Sequence, residues 1–497
     1  MSIVTSPRRS WRLDALFIGV LLLIAGVLHA IYQFGSLYGE HDAARFVVDG
    51  VIWAKTGVRS IALSEYRYFV SPAFIYLSKL ACEWSLASGI HPEIYLCAIT
   101  NVAAVLLFVP TYLLFSNLIG PAGAFVGCLF VEMSPALWFS SLYGFPTAIA
   151  LLFVLTALLL WDEYLRGRIL VNTPFHLSLM FLAALLGMLF KADILVLSAP
   201  AFAGLALIRF GFAWRKLAIA VIVVTGAILV GYSIGHALVQ DSAQSAQYAA
   251  AWNQQFDPGN AAAIGLGKMD YVDSVRLYVM SLGLLTLPAV LVALILMLKA
   301  KQWAFAVAIA IWLPASFLFW AWRPGDGSRH HVPAVIPAAL AIGYLFASAA
   351  RLPRFRLAIY GFLALVVLVN AFRYKPSVNT ASPSGRLLAS ARMVRDDAAQ
   401  IQRRADAYVA GNCDAVLLGS PLTPYSEAAL LLRAQKFTVR PEQEDGYLIR
   451  EIDYDRNGSL CHSTNVRVLS RNGATKAAEV FRAQGKNVQS YEYKLVE

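Results

Sequence analysis

Apolar runs about the length of a membrane-crossing helix alternate with short polar segments along most of the chain. A helix needs roughly 20 apolar residues to cross the hydrocarbon core of a bilayer, and on that rule the sequence predicts about eleven crossings. We place them at 14–34, 93–116, 121–141, 144–163, 174–190, 193–209, 216–236, 275–298, 303–321, 331–350 and 356–373. This pattern predicts an all-α polytopic membrane domain over residues 1–373.

The apolar segment 68–88 differs from the others because Lys79 and Glu83 interrupt it. We interpret it as an interfacial or re-entrant helix. The alternative is a true crossing, which would invert the orientation of every later segment.

Composition and charge agree with a membrane protein. Of the 497 residues, 59% are hydrophobic and 14% charged, whereas soluble domains are about 25% charged. With the N-terminus in the cytoplasm, the basic residues collect in cytoplasmic loops, as the positive-inside rule requires. These loops, which carry few acids, account for the net charge of +11 better than nucleic-acid binding does. Composition favours a bacterial cytoplasmic (inner) membrane.

Three segments fall on the outer side in this topology: residues 35–92, 237–274 and the tail 374–497. Residues 237–274 are rich in Ala, Gln and Gly, which favours a flexible flap. The tail has helix patterns in "SARMVRDDAAQIQRRADAY" and "YSEAALLLRAQ" and strand patterns in "DAVLLGSP", "YLIREI", "VRVLS" and "VQSYEYKLV". Together they predict a small extracytoplasmic α/β domain. In an oxidising compartment Cys413 and Cys461 form a disulfide; two free thiols are the alternative. Three further cysteines are interpreted as packing residues: Cys82, Cys97 and Cys128.

Charged residues cluster at three places on the outer side. The clusters are Glu40 with Asp42, Lys191 with Asp193, and a third that holds Arg323, Asp326, Arg329, His330 and His331. Ionisable groups at membrane depth are costly and mark function by default, so we predict one shared site. The cytoplasmic side offers only basic loop residues. Glu132 is interpreted as a structural polar group in mid-span, and Asp49 as a helix-surface charge.

The chemistry of this set is limited. A carboxylate can accept a proton from an attacking hydroxyl, while Arg, Lys and His can hold a phosphate. Together they suit glycosyl transfer from a polyprenyl-phosphate sugar. The sequence has no HExxH motif and no DxD motif in the first outer loop, and the adjacent pair His330–His331 is a weak metal signal. We predict no cofactor and no metal site, with a divalent cation left open.

Four stretches resemble the GT-C superfamily of membrane glycosyltransferases, which includes protein O-mannosyltransferases and lipid A aminoarabinose transferases. They are "GEHDAARFVVDGVIWAKTG" with "YRYFVSPAFIYLSKL", "SPALWFSSLYGFPTAIALLF", "LGMLFKADILVLSAP" and "SRHHVPAVIPAALAIGYL". The resemblance covers roughly residues 10 to 375 and rests on the order and spacing of the four stretches.

The resemblance implies a role for each matching residue. Asp42 is the catalytic base, and Glu40 is its rival because His41 separates two acids that are adjacent in many relatives. Arg329 and Lys191 bind the donor phosphate, and His330 adds a donor. The structural alternatives are an ion pair of Lys191 with Asp193 and a lipid-headgroup anchor for Arg329. Weaker substrate-binding candidates are Arg45, Arg67, Asp193, Arg323 and His331.

The sequence therefore predicts an inverting glycosyltransferase. Its donor is a polyprenyl-phosphate sugar, and its acceptor is a hydroxyl of lipopolysaccharide, another cell-surface glycan, a lipid or a protein. The alternative is a transporter or flippase of a lipid-linked or anionic substrate. That class calls for internal symmetry and for discontinuous helices near the membrane midplane, and the sequence predicts neither.

Overall fold

The computed structural model describes residues 11–32, 41–57, 71–90, 92–142, 144–237, 271–320 and 331–373, and five strands between 414 and 490. These residues hold sixteen helices. They are α1 (Trp11–Tyr32), α2 (His41–Thr56), α3 (Pro72–Ser88), α4 (Pro92–Leu106), α5 (Phe108–Ile119), α6 (Pro121–Glu132), α7 (Pro135–Leu142), α8 (Thr147–Leu165), α9 (Thr173–Phe190), α10 (Ala192–Phe210), α11 (Trp214–Ala237), α12 (Tyr271–Leu282), α13 (Thr286–Lys299), α14 (Trp303–Trp320), α15 (Val332–Ala349) and α16 (Arg356–Arg373).

Seven helical stretches in the described residues are long and apolar enough to cross a membrane, or eight if the bent pair α12–α13 counts as one span. Three shorter apolar helices lie within α6, α14 and α16. All of them fall where the sequence predicted crossings, and the chain is a multi-pass membrane protein. The predicted count of about eleven crossings stays a prediction.

Helix α15 lies at the centre of the bundle. It contacts α6, α13, α14 and α16, and 83% of its apolar window is buried. An apolar helix that is buried all round belongs in the core. It packs closely on α6 through small residues: a Cβ added at Gly123 would lie 2.8 Å from the carbonyl oxygen of Gly343. Small residues at such contacts let two backbones approach, which is a common way for membrane helices to associate.

Two of the predicted crossings are not continuous helices. The predicted span 121–141 breaks at Met133–Ser134, ahead of Pro135, and 275–298 bends by 75° between α12 and α13. Proline disfavours helical geometry at the preceding residue, and Leu285 has a left-handed φ of 63° that interrupts the second helix. The sequence did not predict these two breaks, and the absence of discontinuous helices near the membrane midplane stays a prediction.

Helices α2 and α3 form a hairpin in the first outer segment. They cross at Gly50, where an added Cβ would lie 2.6 Å from the Ser78 carbonyl oxygen. Helix α3 is not among the described helices that are apolar enough to cross a membrane. Its Lys79 pairs with Glu83 at 2.8 Å, and Trp84 is exposed, as in helices that lie at a membrane surface. These features support the interfacial prediction.

The tail contains a five-stranded sheet of order β2-β3-β4-β1-β5. Its strands are β1 (Asp414–Leu418), β2 (Lys436–Glu444), β3 (Tyr447–Asp455), β4 (Ser463–Leu469) and β5 (Val488–Ser490). Four of these strands were predicted. The sequence analysis missed β2, which holds Pro441 and lies at a sheet edge, where proline is tolerated. The segments predicted as helices, Cys413 and Cys461 lie outside the described residues, so the α/β class and the disulfide stay predictions.

We predict that Gly123→Ala destabilises the folded protein by about 1 to 3 kcal/mol, because the new methyl group collides with α15. Gly26→Ala is the matched control, since an added Cβ there meets nothing within 4 Å. Thermal unfolding of both variants in detergent measures the effect. Equal melting temperatures for the two variants would contradict close packing of α6 on α15.

Candidate functional site

The first cluster, Glu40 with Asp42, lies at the start of α2 in the sequence. Asp42 is the second residue of α2 and Arg45 follows one turn later, so both lie near the helix N-terminus; their side chains lie outside the described part. Five other predicted site residues also lie outside the described residues: Glu40, Arg67, Arg323, Arg329 and His330. Their predicted roles stay predictions.

Lys191 is the best-described member of the predicted site. It is the single residue between α9 and α10 and is extended, with φ −162° and ψ 106°. Its Nζ donates to Thr147 Oγ1 at 3.2 Å and lies 3.5 Å from Asp193 Oδ2. Lys191 and Asp193 are both buried. The ion pair named as the structural alternative is therefore present, although the same ammonium group also reaches the start of α8.

Two helix N-termini meet at Lys191. Helix α8 begins at Thr147 and α10 at Ala192, and neither has a side-chain cap within the described residues. The first amide groups of a helix lack intrahelical acceptors and carry partial positive charge, so such ends favour anions. The Lys191 ammonium lies between these two ends, where the Asp193 carboxylate offsets its charge, and phosphate binding here stays a prediction.

Contacts among the described helices relate the segments that carry the three clusters, and we call the end of the bundle at Lys191 the Lys191 end. Helix α3 packs on α2 and contacts α9, which ends at Phe190. His331, at the start of α15, is buried and lies edge-on to Tyr278, with ring centroids 5.1 Å apart. Tyr278 is in α12, which contacts α7, the helix just before Thr147. One shared site at this end stays a prediction.

The opposite end of the bundle holds a buried network that the sequence analysis did not predict. Asp162 is fully buried and accepts from Arg209 Nε at 2.8 Å and from Asn117 Nδ2 at 3.0 Å. Nearby, Tyr112 donates to buried Asp14 at 2.8 Å. In the predicted topology this end is the cytoplasmic side, and the expectation that it offers only basic loop residues was wrong. Acids inside the predicted spans, such as Asp162, were the available signal.

Asp49 is not the helix-surface charge that the sequence predicted. It is 2% exposed and lies inside the packed part of α2. Asp49 follows Asp42 by seven residues and therefore shares its helix face. Glu132 lies at the break in the predicted span 121–141, as the last residue of α6. It is buried, with its Oε1 3.7 Å from His29 Nε2, and its structural role stays a prediction.

Cys82, Cys97 and Cys128 are buried and form no disulfide among the described residues, as expected of packing residues. Among the described residues, no group of three or more His, Cys, Asp or Glu side chains has the arrangement of a metal site.

Comparison with solved structures identifies the architecture. ArnT from Cupriavidus metallidurans bound to undecaprenyl phosphate aligns with a TM-score of 0.51 and 13% identity, over 84% of this chain and 74% of that chain. Its apo form aligns with a TM-score of 0.50 and 12% identity, over 84% of both chains. The archaeal oligosaccharyltransferase AglB from Archaeoglobus fulgidus was solved in complex with an inhibitory peptide and a dolichol-phosphate. It aligns with a TM-score of 0.50 and 12% identity, over 85% of this chain and 64% of that chain.

The chain has a GT-C-like fold. The predicted resemblance is confirmed at the level of the fold, which is as far as such low identities extend. No protein-family model matches the chain, and no curated protein matches it by sequence.

We predict that Asp193→Ala destabilises the fold by about 3 to 5 kcal/mol, because it leaves the buried Lys191 ammonium without its carboxylate. Glu83→Ala breaks the more exposed pair with Lys79, whose two side chains are 21% and 41% exposed, and should cost less than about 1 kcal/mol. Chemical unfolding of the two variants in detergent compares them. A cost for Asp193→Ala no larger than that for Glu83→Ala would contradict a buried ion pair.

Lys55, in the α2–α3 hairpin, supplies a pH prediction. Burial lowers the pKa of its ammonium group to about 8, from the ordinary value near 10.5. Protonating this amine therefore costs folding free energy below pH 8, and the cost fades as pH rises toward 10.5. Lys55→Met should be more stable than the wild type at pH 7, with a smaller advantage at pH 10. Lys299→Met is the control, because Lys299 is exposed. A gain in unfolding free energy for Lys55→Met that is the same at pH 7 and pH 10 would contradict the burial of Lys55.

Proposed function

We propose that the protein is an inverting glycosyltransferase that moves a sugar from a polyprenyl-phosphate donor to a hydroxyl acceptor. The observation that carries the proposal is the buried ammonium group of Lys191, which lies beside two helix N-termini and is paired with Asp193. It lies at the end of a GT-C-like bundle where α1 leads into the helix that bears Asp42. ArnT, of similar fold, was solved with undecaprenyl phosphate bound.

Asp42 is the proposed general base, with Glu40 as the alternative. The second position of α2 places Asp42 in the first turn, where the helix dipole favours the ionised carboxylate. An ionised carboxylate is the form that accepts a proton from the acceptor hydroxyl. Arg45 and Arg67 are proposed to orient it.

The donor phosphate is proposed to bind Lys191, Arg329 and His330. Lys191 supplies a point charge, and Arg329 can hold two phosphate oxygens at once. Because these side chains stabilise the negative charge that develops on the leaving phosphate, no general acid is needed. Weaker contacts to substrate are assigned to Asp193, Arg323 and His331.

The proposed reaction is one in-line displacement. The acceptor oxygen bonds to the anomeric carbon as the bond to the phosphate oxygen breaks, and Asp42 takes the hydroxyl proton. One carboxylate suffices, unlike the carboxylate pair of typical glycosidases. The product therefore has the inverted anomeric configuration.

The proposed setting is the outer face of a bacterial inner membrane. There the tail domain of residues 374–497 and the flap of residues 237–274 lie on the acceptor's side. The acceptor is a cell-surface glycan such as lipopolysaccharide, a lipid or a protein.

The test is glycan analysis of cells that carry the wild type, Asp42→Asn, Arg329→Ala or Lys191→Gln at matched expression. We expect each variant to lose one sugar from a surface glycan while the polyprenyl-phosphate donor accumulates, with activity falling at least about 100-fold for Asp42→Asn. Lys299→Gln, an exposed lysine at the far end of α13, is the control and should keep the glycan intact.

An unchanged glycan in the Asp42→Asn cells would remove Asp42 as the base. An unchanged glycan in Glu40→Gln cells as well would remove the transferase proposal altogether.

A transporter or flippase is the second candidate, and the broken helices favour it. Transporters bind substrate at discontinuous helices, and the break at Ser134 lies close to α12, with Ser134 Oγ 3.5 Å from the Ser281 carbonyl oxygen. Uptake or flipping of a labelled lipid-linked sugar by proteoliposomes tests it. Movement of the label that survives Asp42→Asn would favour the transporter.

A further inference from the structure

Two neighbouring loops at the end of the bundle opposite Lys191 carry an excess of positive charge. They join α8 to α9 and α10 to α11, and these four helices pack on one another. We call residues 160–172 and 207–217 the paired loops. They hold five cations and two acids, which gives a net charge of +3. The cations are Arg166, Arg168, Arg209, Arg215 and Lys216, and the acids are Asp162 and Glu163.

Side-chain contacts hold the paired loops side by side. Arg209, in the last turn of α10, donates from Nε to Asp162 of α8 at 2.8 Å. Lys216, in the first turn of α11, places its Nζ 4.3 Å from the ring centre of Tyr164 in α8. A cation over an aromatic face is attracted by the negative face of the ring. The two loops therefore present one continuous surface.

The acids of the paired loops compensate only part of their positive charge. Asp162 is fully buried and already accepts from Arg209 and Asn117. Nη1 of Arg166 lies 3.9 Å from Asp162 Oδ2, which is too far for a hydrogen bond. Lys216 has no carboxylate partner in the part of the chain that the structure describes. The surface can therefore accept further negative charge.

Arg166 shows how closely the cations crowd together. Burial and the nearby guanidinium groups of Arg209 and Arg168 lower the pKa of Arg166, and the neighbouring acids raise it by less. A bound anion would relieve this repulsion between like charges. Arg168 is available to such an anion, because its side chain is 49% exposed and its Nη1 makes only a long contact, 3.6 Å, with Glu163 Oε2.

Exposed apolar side chains lie beside these cations. Phe212 is 87% exposed and Trp214 71% in one loop, and Leu170 and Val171 are exposed in the other. A small soluble anion would leave these side chains in water, whereas a phospholipid offers acyl chains next to its phosphate. Aromatic rings together with cations are typical of surfaces that meet lipid headgroups. The combination favours a lipid as the anion.

We propose that the paired loops form a docking site for an anionic phospholipid, whose phosphate binds Arg168 and Lys216 and whose acyl chains lie against Phe212 and Trp214. In the predicted topology this lipid belongs to the cytoplasmic leaflet. The site lies at the opposite end of the bundle from Lys191, so it does not depend on the proposed sugar transfer.

Lipid retention by the purified protein, measured by native mass spectrometry, tests the proposal. The protein is held in detergent with equal amounts of dioleoylphosphatidylglycerol and dioleoylphosphatidylcholine, two lipids that differ only in the headgroup. We expect the wild type to retain phosphatidylglycerol preferentially. The double variant Arg168→Gln, Lys216→Gln should bind it at least about tenfold more weakly, since each cation near an anionic lipid contributes roughly fivefold in affinity.

The matched control is the double variant Lys299→Gln, Arg354→Gln. It also removes one lysine and one arginine, both exposed, from other loops at the same end of the bundle. Its preference for phosphatidylglycerol should equal that of the wild type. Lys191→Gln should keep the preference as well, which separates this site from the proposed donor site.

The apolar part of the site has its own variant. Phe212→Ser with Trp214→Ser changes two exposed side chains, so the protein should fold as the wild type does. It should nevertheless bind phosphatidylglycerol more weakly, because the acyl chains lose their contact. Glycerol 3-phosphate, which resembles the headgroup alone, should compete only weakly with the intact lipid.

Equal retention of the two lipids by the wild type would overturn the proposal, and so would an unchanged preference in the Arg168→Gln, Lys216→Gln variant. A loss of the same size in the Lys299→Gln, Arg354→Gln control would reveal a diffuse effect of charge and would also overturn a site at the paired loops. Full competition by glycerol 3-phosphate would assign the loops to a soluble phosphate compound and overturn lipid docking.

Discussion

Buried ionisable groups in this bundle have to find their partners inside it, because hydrocarbon offers none. At one end Asp162 meets Arg209 and Asn117. At the other end Lys191 meets Asp193 and Thr147. The Asp162 set draws on three helices, and the Lys191 set on α8, α10 and the residue that joins α9 to α10. Each set therefore ties helix ends together as well as neutralising charge. The middle of the bundle is apolar and packs around α15, so it contributes close van der Waals contact and few polar interactions.

The buried polar groups at the two ends of the bundle differ in whether they can still bind an added ion. Around Asp162 the buried polar groups mainly hydrogen-bond and pair with one another, which suits a structural role. At the Lys191 end the ammonium group lies between two helix N-termini without side-chain caps among the described residues. Because Asp193 pairs with that cation, the amides of the helix N-termini are the groups that favour an added anion. A lipid phosphate that enters from the membrane edge is an anion suited to this place, and the helix bearing Asp42 begins at the same end.

The apolar pattern predicted the helices well, because the length needed to cross a bilayer is a strict local constraint. It also located Lys191, since a lone cation between two apolar runs stands out. It did not predict the bend between α12 and α13, although Gly283, which has a left-handed φ of 99°, and Pro288 were local signals for it. The burial of Asp49 depends on how α2 packs in the folded protein. His29 and Asn101 lie 72 residues apart, so their hydrogen bond could not be inferred from spacing.

The most direct test of the central claim is the binding of undecaprenyl phosphate to the purified protein, measured by native mass spectrometry. The account predicts saturable binding of one lipid to the wild type and to Lys299→Gln. It predicts at least about tenfold weaker binding to Lys191→Gln, in keeping with the loss of a charged contact to phosphate. Equal binding by all three proteins, or none by the wild type, would contradict a phosphate site at Lys191.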